Sequence, residues 1–289
     1  SGRMHLGNLW SCLLAWLAAR SAGGRMVLRL EDLDPDRCRP EYCDQILRDL
    51  EWLGLDWDGI PVYQSRRTEF YAEAFRELER QGLIYPCFCT RAERLAASAP
   101  HRSDGSAVYD GGCGRLTAEE RAELAKTRRP SWRVRVPEET ITYSDVLQGD
   151  YYGNLKRDCG DFILRRSDGV YAYQLAVVVD DGAMGVTQVV RGSDLLSSVP
   201  RQLWLQERLG LPHPEYGHLP LLLASDGRRL AKRDRDQELG QLQIQYTAPE
   251  IVGRLACAAK LIDRSEPITP RELLPLFSWE MLPKEDFSM

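Results

Sequence analysis

At 289 residues the chain is long enough for one large domain or two ordinary ones, and 43% hydrophobic with 28% charged residues is the balance of a globular protein. No apolar run approaches the roughly 18 to 20 residues that span a bilayer, and the N-terminus lacks the basic-then-apolar layout of a signal peptide, so a cytoplasmic protein without membrane contact is expected. A net charge of −5 excludes a surface coated in basic residues and leaves nucleic acid only local footholds, such as Arg128-Arg129 or the stretch 228–235.

Apolar residues at 9, 13, 14 and 17 have helical spacing and stop at Gly23-Gly24, which predicts a helix starting just after Gly7. Residues 26–30 read as a buried strand that delivers Glu31 and Asp32 at its C-terminal end, the edge where open α/β sheets put their ligands. Segments 41–53 and 68–81 are amphipathic, predicted helical, and closed by Gly54 and Gly82. This alternation implies an α/β fold with a parallel sheet.

From residue 87 to about 152 the texture turns to glycine, serine and charge, with a short strand at 132–136, and reads as an inserted subdomain. Strand-like segments return at 161–164 and 173–179, followed by a strand at 188–191 and a helix near 199–209. Thr247-Ala248-Pro249-Glu250 and Thr269-Pro270-Arg271-Glu272 each set a capping threonine three residues before a glutamate, with proline in the first turn, and so start two more helices. The expected division is 1–85 and 161–224 as two halves of one catalytic domain, 86–160 as the insertion, and 225–289 as a basic loop with a helical C-terminal segment. No further sizeable domain is expected beyond Met289.

His5 and Gly7, one residue apart at a helix mouth, suit ATP, because a missing side chain lets the nucleotide lie on the backbone while helix amides face the phosphates. Alone, so short a pattern is commonly chance, and a histidine beside a helix is more often a cap. The second half of such a site is Arg229-Leu230-Ala231-Lys232-Arg233, past the apolar run 219–224 and the turn Ser225-Asp226-Gly227. A mobile basic loop there could fold onto a triphosphate, with Lys232 stabilising charge as the α-phosphate is attacked; the bland reading is an exposed basic turn. Eight cysteines without a secreted disulfide pattern read as thiols or metal ligands. Cys87, Cys89 and Cys113 cluster and offer three thiolates to a zinc ion if a fourth ligand arrives. His101 is the orthodox donor on chemistry alone, and Tyr109, four residues before Cys113, is the other candidate.

Met4-His5-Leu6-Gly7-Asn8 looks like the HIGH signature of class I aminoacyl-tRNA synthetases, and residues 229–233 look like their KMSKS loop in its glutamyl form. Between them, Gln64-Ser65-Arg66-Arg67, Tyr85-Pro86-Cys87-Phe88-Cys89-Thr90, the stretch 160–169, Tyr173-Gln174-Leu175 through Asp180-Asp181, and Val190-Arg191-Gly192-Ser193-Asp194-Leu195 closely resemble glutamyl-Q tRNA(Asp) synthetases. These are shortened relatives of glutamyl-tRNA synthetase, and the match runs in order over nearly the whole chain. The resemblance implies a Rossmann-type catalytic domain, an inserted zinc-containing α+β subdomain and a helical C-terminal segment. It also implies a monomer that uses ATP and Mg2+ to activate L-glutamate without tRNA and then transfers it to the queuosine base at the wobble position of tRNA(Asp).

Residue by residue, the resemblance assigns ATP to His5, Gly7, Asn8, Lys232 and Arg233, with His5 and Lys232 as the catalytic pair that stabilises the transition state. A glutamate pocket needs an acid for the ammonium and an arginine fork for a carboxylate. Glu31 and Arg191 fit, and the family's contacts carry over to Glu31, Tyr173, Arg191 and Ser1. The family's zinc order carries over to Cys87, Cys89, Tyr109 and Cys113, with His101 in reserve. The sequence departs from the family in three ways: the strand that precedes the Ser1-Gly2 turn and adds glutamate contacts is absent from the sequence, Ala231 stands where serine is usual, and Gly182 stands where histidine is frequent. The alternatives are a shortened ordinary glutamyl-tRNA synthetase charging tRNA(Glu), and a non-catalytic paralogue that binds nucleotide or tRNA.

Overall fold

The computed structural model describes residues 4–34, 38–90, 108–109, 111–224, 227 and 238–288. Helix α1 (Leu6–Ser21) starts at His5, whose backbone N–H is accepted by Asn8 Oδ1 at 3.1 Å, and the chain leaves it through Gly23 at φ +68°. Its inward face buries Leu9, Leu14 and Leu17 completely, each worth about 2 kcal/mol in removed apolar surface. Strand β1 (Arg29–Leu30) is shorter than the 26–30 expected. Of the preceding residues, Met26 gives its N–H to Asp58 Oδ2 at 2.7 Å, and the Leu28 carbonyl accepts from Val62 N–H at 2.9 Å.

Helix α2 (Pro40–Leu53) ends at left-handed Gly54, as its sequence predicts, and opens one residue before the expected start, on Pro40. It leads to β2 (Val62–Tyr63), which pairs in parallel with β1. Helix α3 (Thr68–Arg80) follows, then β3 (Ile84–Cys87), α4 (Ala118–Ala125), β4 (Ser131–Val134), β5 (Thr140–Asp145), β6 (Gly149–Asn154) and β7 (Phe162–Arg165). Strands β3, β4 and β7 form an antiparallel sheet in that order, while β5 and β6 form a separate hairpin.

The segment 173–179, expected as a strand, is instead the start of helix α5 (Tyr173–Ala183). Residues 175–181 are all buried, so the helix has no polar stripe along this stretch, and its run of valines imitates a core strand. Strand β8 (Gln188–Gly192), helix α6 (Val199–Leu209) and strand β9 (Glu215–Leu219) then form a right-sized βαβ unit, with β8 and β9 parallel. After β10 (Leu222–Leu223), helices α7 (Leu239–Gln245), α8 (Ala248–Ala258) and α9 (Pro270–Leu273) precede β11 (Phe287–Ser288), which returns to pair with β10. Both expected capping boxes, at Thr247 with Glu250 and at Thr269 with Glu272, are formed.

One apolar core surrounds α1 and joins it to α2, α8 and α9; another joins α3, β7, α5 and α6. The parallel pairs β1–β2 and β8–β9 are not hydrogen-bonded to each other. Between them lies a cavity of about 880 Å³, bounded by Leu28, Arg29 and Glu31 on one side and Val189, Val190 and Arg191 on the other. Among the described residues no helix is long and apolar enough to cross a membrane.

Candidate active site

The start of α1 and the residues that follow the basic loop are brought together. Met4 accepts a backbone hydrogen bond from Leu239 at 2.9 Å, and His5 forms an antiparallel bridge with Glu238. On the other side of the loop, the Pro220 carbonyl accepts the Trp10 indole N–H at 2.9 Å, so both flanks are fixed to the same helix. His5 and Gly7 are half-buried and Asn8 is exposed, at the helix N-terminus where backbone N–H groups point outward. Lys232 and Arg233, like Ser1 and His101, lie outside the described residues.

Glu31, Tyr173 and Arg191 all line the cavity between β1 and β8. Glu31 follows β1 and is held by Arg29 Nη2 at 3.3 Å. Arg29, which no local sequence pattern marks, also donates through Nη1 to Asp181 Oδ1 at 2.6 Å, and its Nε lies 3.8 Å from Asp180 Oδ2. Burial raises the Asp181 carboxyl above its ordinary value despite that cation. Asp180 is fully buried and accepts from Gln64 Nε2 and Tyr71 Oη at 2.8 Å each and from Arg67 Nε at 2.6 Å, so it anchors α5 to the segment after β2 and to α3. A side chain at Gly182 would meet Leu211 Cδ2 at 2.8 Å, so the absence of the histidine frequent in the family goes with Leu211 packed against the bare backbone.

Arg191, on β8, is fixed on two edges. Its Nε donates to His218 Nε2 at 3.1 Å, its Nη2 to Gln202 Oε1 at 2.8 Å, and its Nη1 is 3.5 Å from Tyr173 Oη. Gln202 is itself oriented, donating to Gln174 Oε1 at 2.9 Å. Burial pushes the Tyr173 phenol above its ordinary pKa, so it faces Arg191 as a neutral hydroxyl. The sequence signal for His218 and Gln202 was present only as polar residues inside apolar runs.

The cysteine cluster forms as expected. The sulfurs of Cys87, Cys89 and Cys113 lie within 4.8 Å of one another, against the roughly 3.8 Å between thiolates 2.3 Å from one tetrahedral zinc. Tyr109 Oη is 3.7 Å from Cys87 Sγ and 3.5 Å from Cys89 Sγ and accepts the Cys113 N–H at 2.9 Å. Burial opposes ionisation of Cys87, but the Cys89 N–H and the Arg133 guanidinium outweigh it and lower its pKa, while burial pushes Cys89 up to about 12. Tyr109 is held by a parallel bridge to Gly160, where φ is +63° and a Cβ would lie 2.7 Å from the Tyr109 carbonyl oxygen. Three convergent sulfurs suit zinc's preference for thiolate, while the Tyr109 phenol beside them is an unusual fourth donor that burial keeps protonated in the absence of a metal.

Residues 1–252 match the family model for class I tRNA synthetases (E and Q), catalytic domain. A protein of Symbiobacterium thermophilum named glutamyl-Q tRNA(Asp) synthetase is 49% identical over 99% of this chain and 92% of its own length. The like-named protein of Nitratidesulfovibrio vulgaris is 50% identical over 98% and 91%. Among solved structures, a glutamate tRNA ligase from Elizabethkingia meningosepticum in complex with its amino acid superposes with a TM-score of 0.83 at 25% identity, covering 99% of this chain and 64% of that one. Glutamate-tRNA synthetase from Elizabethkingia anophelis gives 0.84, with 66% of its chain covered, so the class I α/β fold is common to all. With His5 at the mouth of α1, and Glu31 and Arg191 facing one cavity, the chain belongs to the class I tRNA synthetases of the E and Q type and, within them, to the glutamyl-Q tRNA(Asp) synthetases.

Proposed function

We propose that this enzyme activates L-glutamate with ATP, without tRNA, and transfers the glutamyl group to the queuosine base at the wobble position of tRNA(Asp). In the first step an oxygen of the glutamate α-carboxylate attacks the α-phosphorus, the bond to pyrophosphate breaks, and glutamyl-adenylate forms; Mg2+ supplies charge neutralisation on the phosphates. Transfer to the base then releases AMP. The observation that carries this reading is a carboxylate and a guanidinium, Glu31 and Arg191, bounding one cavity beside a tyrosine hydroxyl. Glu31 takes the ammonium, and Arg191 with Tyr173 takes a carboxylate; Ser1 belongs to the same pocket.

ATP lies over Gly7 and Asn8 at the mouth of α1, where His5, Lys232 and Arg233 contact the phosphates. His5 and Lys232 stabilise charge developing in the transition state and form no covalent intermediate. Cys87, Cys89, Tyr109 and Cys113 hold a structural zinc. The protein works as a monomer in the cytoplasm, where its nucleotide and tRNA substrates are.

Glutamate-dependent ATP–pyrophosphate exchange in the absence of tRNA, followed by charging of tRNA(Asp) with and without queuosine, tests the reading. Exchange without tRNA and charging only of the queuosine form are expected. Exchange that requires tRNA(Glu) would assign the chain to ordinary glutamyl-tRNA synthesis, and no exchange at all would make it a binding paralogue.

A further inference from the structure

Arg191 meets an unusual partner on its Nε side, a histidine ring nitrogen. An arginine Nε carries a hydrogen and can only donate. The His218 Nε2 facing it at 3.1 Å must therefore be the bare, accepting nitrogen, and the ring's proton must sit on Nδ1. That nitrogen is 2.6 Å from Asp145 Oδ2, which receives it. Asp145 and His218 are both fully buried, so neither contact is exchanged for water.

Asp145 is equally constrained. Its Oδ1 accepts three backbone N–H groups, from Leu147 at 3.0 Å, Gln148 at 2.9 Å and His218 at 3.1 Å, so the carboxylate's orientation is set by the turn of the β5–β6 hairpin and by β9. Tyr216 stacks on the imidazole at a centroid distance of 6.0 Å and lies under the Arg191 guanidinium at 5.3 Å.

We infer that Asp145 and His218 are positioning residues of the glutamate pocket: Asp145 fixes the His218 tautomer, and the bare Nε2 holds Arg191 so that Nη1 faces Tyr173 and the cavity. Neither residue touches substrate. The inference rests on the assignment of Arg191 to glutamate binding and adds that the aim of its guanidinium is set from β5, outside the strand that carries it. Together with Gln202 on Nη2, the relay leaves the arginine little rotational freedom, so the fork is formed before glutamate arrives.

Asp145→Asn is the discriminating substitution. The three backbone donors hold the amide oxygen in the place of Oδ1, so the NH2 group replaces Oδ2 and presents hydrogens to Nδ1. The ring must then accept there and carry its proton on Nε2, where it meets the Arg191 N–H head on. In glutamate-dependent pyrophosphate exchange this variant should raise the glutamate KM about tenfold or more, with the ATP KM within about twofold of wild type. Nitrogen-15 NMR of the imidazole should report the Nδ1–H tautomer in the wild type and the Nε2–H tautomer in the variant.

Because Asp145 also braces the hairpin turn, a second pair covers a folding defect. His218→Gln can put an amide oxygen near the position of Nε2 and should keep the glutamate KM closer to wild type than His218→Leu, which fills the space without an acceptor. Arg191→Ala serves as the reference. If Arg191→Ala raises the glutamate KM and the folded Asp145 and His218 variants do not, the relay is overturned. If Arg191→Ala leaves the glutamate KM unchanged, the arginine's assignment falls, and the relay's role with it.

Discussion

The backbone N–H of Leu239 donates to the carbonyl oxygen of Met4 at 2.9 Å, which pins the chain leaving the basic stretch 228–237 against the first residues of α1. Met4 and Leu239, which flank the proposed nucleotide site, are thus joined by backbone, independent of any side chain.

Lys232, proposed to stabilise charge on the phosphates, is the side chain to alter first. Lys232→Ala should lower kcat for adenylation by about 100- to 1000-fold while the glutamate KM stays within about twofold. Steady-state exchange kinetics check it, and unaltered turnover removes the residue from the mechanism.

Arg29 lies 16% exposed among Glu31, Asp180 and Asp181, the second of them wholly buried. Replacing it by methionine leaves two aspartates without this cation and should destabilise the protein by about 3 kcal/mol in denaturant unfolding. Glu31, released from its 3.3 Å contact, should also bind the glutamate ammonium less well. A variant as stable as wild type would show that Arg67 and the surrounding dipoles suffice for the buried pair.

The purified enzyme should contain about one zinc per chain under reducing conditions, lost in Cys113→Ala. Gly160→Ala is the subtler test. The added carbon would meet Tyr109 backbone at a φ that side chains avoid, so zinc should leave to a chelator faster than from wild type. Metal analysis finding none in unchelated protein would remove zinc from the fold.

His218 predicts an acid-side dependence. Burial lowers its pKa below the ordinary 6.5 even with Asp145 as partner, and the other charges facing it are Arg191 and Asp194. A depressed folded-state value means that the unfolded chain takes up the proton first as pH falls. The stability due to the neutral ring is therefore complete above about pH 6.5 and declines as pH drops through that value towards the folded-state one. Asp145, lowered by His218 and backbone donors against the effect of burial, keeps its contribution until pH falls below the ordinary carboxylate value of 3.8. Thermal unfolding from pH 7.5 to 5 should show a decline that His218→Gln flattens, whereas the wild-type glutamate KM should rise only once the pH reaches the depressed folded-state value, where the ring of the folded enzyme takes up its proton. Equal slopes for both proteins would exclude the histidine as its source.

Local signals in the sequence were read well where the physics is local. Gly54 closed α2, and the Thr247 and Thr269 boxes started their helices, because a cap depends on residues a few positions apart. Helix α5 was misread because its burial on all sides erases the helical period that distinguishes it from a strand. The clustering of Cys87, Cys89, Tyr109 and Cys113 was legible through resemblance, whereas Arg29, Asp145, Gln202 and His218 were not singled out. Each of these polar residues acts through a partner remote in sequence, and nothing at short range distinguishes a buried, paired histidine from an ordinary one.

The hairpin carrying Asp145 also bears on how such enzymes can be recombined. The insertion proposed over residues 86–160 would read as a cassette exchangeable between relatives, yet a carboxylate within it, Asp145, contacts an imidazole on β9 that in turn meets an arginine on β8. A chimera that imports this segment from another synthetase will keep its amino-acid preference only if the donor supplies an acid at the same turn. Modularity of the chain therefore stops short of that hairpin.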